Sequence, residues 1–169
     1  MSLDELSGFL ADDELDSQFN EEQVDRIYER FVYDFLTNPF QYQGKNVRIY
    51  PQNSRIGQYA KYRETFVHII TREYKSSGGR IYLCERANRI HWIKPILLAH
   101  PSNEIYYFKF KDDDNICKEY FWYYRKDYMV VLKDIHGGVV IVTGFNVDKE
   151  DKVKFWEKYT DFRDGNGTC

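Results

Sequence analysis

The stretch between residues 104 and 145 constrains the fold most. It contains four short runs rich in β-branched and aromatic residues, at 104–110, 119–125, 128–134 and 139–145. Runs of this kind bounded by turn residues read as strands. Asp112-Asp113-Asp114-Asn115 separates the first two, and Ile135-His136-Gly137-Gly138 joins the last two with a hairpin signal. Upstream, Val24, Ile27, Tyr28, Phe31, Val32, Phe35 and Leu36 recur at helical spacing as one apolar stripe. Asn20 with Gln23 resembles a capping box for that helix, and Thr37-Asn38-Pro39 stops it. Residues 148–159, with Val153, Trp156 and Tyr159 on one side, read as a last helix. These patterns predict an α+β fold in which amino-terminal helices precede a mostly antiparallel sheet of four to five strands.

The chain has 169 residues, enough for one domain with a real core. Its net charge of -3 hides a segregation. Of the 27 acids, nine lie in residues 1–25, which hold no Lys or Arg, leaving 18 acids against 24 Lys and Arg in the rest. The reading is an acidic, flexible leader over 1–18, a domain over 19–163 and a frayed tail over 164–169. A mildly basic body suits nucleic acid, and the leader either masks that surface or serves as a solubilising tail. No run approaches a membrane span and the acidic start is not a signal peptide. Three cysteines, Cys84, Cys117 and Cys169, at no metal-ligand spacing read as reduced thiols of a cytoplasmic protein.

Chemistry is concentrated in residues 65–92. The run 65–72 reads as a strand, whose period of two puts Phe66, His68, Ile70 and Arg72 on one face. A Ser-Ser-Gly-Gly turn follows, then a basic segment with Arg80, Arg86 and Arg89. A short strand at 47–50 and a loop at 51–63 precede this region. Residues 84–99 read as a helix in two pieces around Pro95, with Trp92, Ile93, Ile96 and Leu97 on its buried side. The four histidines form no metal-ligand pattern, the acidic turn lacks a calcium loop's glycine and distal glutamate, and no phosphate-binding loop appears. No metal or cofactor is therefore expected. Metal-free RNA cleavage needs a base for the 2′-hydroxyl, an acid for the leaving oxygen, and cations for the phosphate oxygens. Histidine and arginine supply those roles. The plainer alternative is a packed histidine beside a solvated basic face.

The order of TFVHIITRE, ERANRIHWIKPIL and YMVVLKDIHGGVVIVTGFNV resembles the phage-associated nuclease families grouped with barnase, EndoU, colicin-type RNases and RelE (the BECR group). The likeness covers about residues 64–147. It implies a helical part ahead of a four-stranded antiparallel sheet, and metal-independent endoribonuclease chemistry of toxin or effector type that leaves a 2′,3′-cyclic phosphate. RNA would be the substrate, and an inhibitor or antitoxin protein a partner. By that resemblance His68, Arg86, Thr143 and Lys133 are the catalytic candidates, and Arg72, Arg89, Tyr128 and Trp92 the substrate-binding ones. Lys133 and Thr143 test each other. A two-residue loop at His136-Gly137 pairs Lys133 with Val140 and turns Thr143 to the opposite face, whereas a three-residue loop pairs Lys133 with Ile141 and keeps all three together. Tyr128 is the substitute for Lys133. The alternatives are a non-catalytic member of the fold that binds RNA or protein through the aromatic run 119–125, and a phage structural or regulatory protein that binds through its leader.

Overall fold

A computed structural model describes residues 2–15, 18–74 and 79–169. Its centre is a six-stranded mixed sheet in the order β1-β2-β8-β7-β6-β5. The strands are β1 (Gln41–Tyr42), β2 (Lys45–Arg48), β5 (Ile105–Lys111), β6 (Cys117–Tyr123), β7 (Tyr128–Ile135) and β8 (Gly138–Asn146). β5 to β8 form an antiparallel meander, matching the four runs read from sequence. β2 joins it in parallel through Val47↔Val139 and Arg48↔Val140, and β1 pairs back on β2. A separate ribbon pairs β3 (Thr71–Glu73) with β4 (Arg80–Tyr82). The expected Ser-Ser-Gly-Gly turn falls largely on residues 75–78, outside the described residues.

Both faces of the meander are covered. One face, with Phe121, Tyr123, Tyr128, Val130, Leu132, Val139 and Ile141, packs into the main core. Helices α1 (Glu21–Val32), α2 (Glu64–Ile70) and α4 (Ile93–Ala99) supply the other side of that core through Val24, Ile27, Phe31, Phe66, Ile70, Ile93 and Leu97. The opposite face, with Phe108, Tyr120, Trp122, Met129 and Val131, packs under Phe155 of α5 (Lys152–Arg163). Tyr159 and Phe162 complete that contact. Val153 and Trp156, expected on the buried side of α5, are instead 66% and 43% exposed, because the sheet takes up Phe155 and the turn beyond it.

α1 begins as its sequence implies, with Asn20 Oδ1 accepting from the backbone N–H of Gln23 at 3.1 Å. It then widens into a single π-turn at Tyr33–Thr37 before Pro39. A short α3 (Cys84–Ala87) and a 3₁₀ turn at Ile90–Trp92 precede α4, where Pro95 stands in the first turn. There its missing N–H costs no helical bond.

Both ends of the chain, expected as a flexible leader and a frayed tail, make contacts with the body. The acidic segment is docked: Leu3, Leu6 and Leu10 are buried in the main core. Asp4 accepts from Tyr123 Oη at 2.5 Å and from Arg125 at 2.6 Å, and Lys126 Nζ donates to the carbonyls of Asp4 and Leu6. The tail is also held, by a Cys117–Cys169 disulfide and by the backbone N–H of Lys111 donating to Thr168 Oγ1 at 2.7 Å. Cys84 is buried and donates its thiol to the Leu15 carbonyl. The disulfide takes up two of the three cysteines read as reduced thiols and leaves Cys84 outside it. Among the described residues no helix is long and apolar enough to cross a membrane.

Candidate active site

Residues 64–70 form a helix, correcting the strand expected at 65–72. Thr65, Phe66, Val67, Ile69 and Ile70 are all buried, so the segment is wrapped by core on most sides. Glu64 and His68, one helical turn apart, are left facing outward. The strand reading put His68 on one face with Phe66 and Ile70; the 3.6-residue period sends it the other way. The helix ends as Thr71 turns extended, its hydroxyl donating back to the Val67 carbonyl at 2.5 Å.

The carboxyl end of this helix collects cations, as the unpaired carbonyls and the helix dipole favour. Arg80 reaches across from β4, donating from Nε to Thr71 Oγ1 at 2.6 Å. Its Nη2 donates to the carbonyls of Thr71 and His68 at 3.3 and 3.4 Å. Arg86 adds a bond from Nη1 to the Thr71 carbonyl at 3.1 Å. Burial lowers the proton affinity of both guanidiniums, although arginine stays charged throughout the working pH range.

Glu64 and His68 line two abutting concavities. One, of about 290 Å³, is bounded by Tyr50, Gln52, Thr65, Asp114, Lys118, Lys133, Ile141 and Val142 as well. The other, of about 170 Å³, adds Ser54, Arg55, Ile56, Val67 and Arg80. Lys118 is engaged by Asp112 and Asp114 at 3.2 and 2.7 Å. Lys133 has no ion pair among the described residues, and its ammonium lies 5.7 Å from the Tyr50 ring centroid. His68 is exposed at the rim. Desolvation in the cleft, then the charges of Arg80 and Arg86, hold its imidazole below the usual value of 6.5, against the opposite pull of Glu64 and Glu73. It is therefore neutral at pH 7 and able to accept a proton.

The expected site residues divide sharply. His68 and Lys133 share the cleft, and Arg86 acts on His68 through its field. Arg72 is exposed on β3, within electrostatic reach of Arg86. Thr143 lines neither concavity. The β7–β8 loop has two residues, so Lys133 pairs with Val140, but a bulge at Val142 restores Thr143 opposite Val131. Thr143 thus belongs to the face covered by α5, away from Ile141. Arg89 is a structural clamp, donating to the Lys126 carbonyl at 3.1 Å and lying 4.8 Å over Trp92. Trp92 is 3% exposed with its Nε1 donating to the Ser7 carbonyl. Tyr128 is wholly buried against Gly144. Neither ring can receive a substrate. Glu64 and Arg80 also line the cleft, though neither is among the expected site residues; the signal for Glu64 is its i,i+4 spacing to His68, visible only once the segment is read as helical. No family model, curated protein or solved structure matches the chain.

Proposed function

We propose that the protein is a metal-independent endoribonuclease acting at the Glu64–His68 cleft. The observation that carries this reading is an accessible, neutral imidazole with a carboxylate one helical turn away, between Arg80 on one side and Lys133 on the other. His68 takes the proton from a ribose 2′-hydroxyl as the 2′-oxygen bonds to phosphorus. Glu64, whose charge favours the imidazolium, stabilises the cation that forms. As the bond from phosphorus to the 5′-oxygen breaks, the Lys133 ammonium protonates that oxygen. Arg80 holds the charge on the non-bridging oxygens. The products are a 2′,3′-cyclic phosphate and a free 5′-hydroxyl, and proton exchange with water resets both groups.

The likeness to the BECR group is supported by the antiparallel β5–β8 meander behind a helical part. The parallel β2 and the extra β1 go beyond that pattern. A toxin-like role and a protein inhibitor follow from the same proposal, with the inhibitor expected to block this cleft. Incubation with single-stranded RNA in EDTA tests the reading. The wild type should leave 2′,3′-cyclic ends, and His68→Ala should lower the rate by about 10²–10⁴-fold. Undiminished cleavage by that variant would remove the site. RNA binding without cleavage by the wild type would instead favour a non-catalytic member of the fold.

A further inference from the structure

The two halves of the cleft are chemically unlike. The smaller half presents Arg55, Arg80 and Ser54, groups suited to phosphate. The larger half has a floor of Ile141 and Val142, the Tyr50 ring, and the Gln52 amide, which can both donate and accept. An apolar floor, an aromatic ring and a two-way hydrogen-bonding group are the elements that receive an unstacked nucleobase. We infer that Tyr50 is the stacking platform for the base next to the reacting phosphate, so that the cleft takes single-stranded rather than duplex polynucleotide. The inference rests on the endoribonuclease reading and adds its substrate class.

The topology explains how Tyr50 reaches this place. β2 pairs with β8 only at Val139 and Val140, after which the chain leaves the sheet and Tyr50 lines the same concavity as Ile141 and Val142. Arg63 Nη1 donates to the Tyr50 carbonyl at 3.5 Å. Tyr50 is half-buried, whereas Trp92 and Tyr128 are enclosed in the core. At 5.7 Å the Lys133 ammonium is near the outer reach of a cation–π contact, roughly 6 Å. Its flexible stem lets it move to the phosphate as a base takes over the ring face. Bases in a duplex stay stacked, and their flat faces cannot meet a ring at the wall of a cleft.

An all-2′-deoxy oligonucleotide lacks the attacking hydroxyl and is a stable probe for the wild-type protein. Its affinity, measured calorimetrically in EDTA, is compared with that of an oligomer of equal length carrying one abasic site and with its own duplex. The intact single strand should bind tighter than both by about 5- to 100-fold. That preference should persist in Tyr50→Phe and vanish in Tyr50→Ala and in Tyr50→Leu, which keeps bulk without a π-face. Equal affinity for intact and abasic strands, a preference that survives Tyr50→Leu, or equal binding of duplex would overturn the inference. A protein that shows the stacking preference but leaves RNA intact in EDTA would refute the nuclease reading alone.

Discussion

The proton affinity of His68 is set by neighbours of opposite sign. Arg80 lowers it and Glu64 raises it, so their removal should move the acid limb of the pH–rate profile in opposite directions. In the proposed mechanism the neutral imidazole is the active form, so cleavage should fall on acidification with a midpoint below 6.5. Arg80→Ala should shift that fall to higher pH, with a rate loss on the order of 10²-fold from the missing phosphate contact. Glu64→Gln should shift it to lower pH while also slowing turnover. Steady-state rates between pH 4.5 and 8 would check this, and coincident limbs in the two variants would contradict it. At this scale His68 is legible from the chemistry of its side chain, and Lys133 through the resemblance of its strand. Glu64 and Arg80 are not, because their relevance depends on the helical period of one short segment and on a ribbon that folds Arg80 back over its end.

The helix over Glu64–Ile70 and the bulge in β8 decide which side chains meet. Thr-Phe-Val-His-Ile-Ile is composed as a strand, yet the surrounding core demands burial on most sides at once, which a helix supplies over a shorter rise. Tertiary burial overrides local propensity here. In the meander, the choice of a two-residue over a three-residue loop comes from the pairing of Ile135 with Gly138. Composition and connectivity otherwise agree there, so four strands and a hairpin can be read directly. The bulge cannot, since nothing in Val-Ile-Val-Thr distinguishes the extra residue. Gly144 beside it is tightly enclosed: a Cβ there would lie 2.6 Å from Tyr128 Oη and 2.9 Å from Ile93 Cδ1. Gly144→Ala should therefore cost about 1–3 kcal/mol of stability by overpacking. Urea denaturation would measure it, and an unchanged midpoint would mean that Tyr128 moves freely.

For the molecule as a whole, the acidic segment is structural. Burial of Leu3, Leu6 and Leu10 contributes on the order of 5–9 kcal/mol at roughly 1.5–3 kcal/mol each, a large share of the ~5–15 kcal/mol that holds a domain folded. Leu6→Ala should lower stability by about 2–4 kcal/mol, whereas a loosely attached tail would show almost no change in the denaturation midpoint. Charge composition hides this role, because nine acids outweigh four leucines in any average over residues 1–25. Acid should also weaken the fold. His68, His91 and His100 all have proton affinities lowered first by burial. The unfolded chain then binds more protons, so stability present above about pH 6.5 is lost as pH falls toward the folded values. Urea midpoints at pH 7.5 and 5.5 should differ accordingly, the lower value lying at pH 5.5. The docked segment also imposes an order in time. Asp4 meets Tyr123, 119 residues later in the chain. At roughly 5–20 residues per second of synthesis, Leu3, Leu6 and Leu10 wait some 6–24 s for their berth. Their acidic neighbours keep them dissolved until the β6–β7 hairpin emerges to receive them.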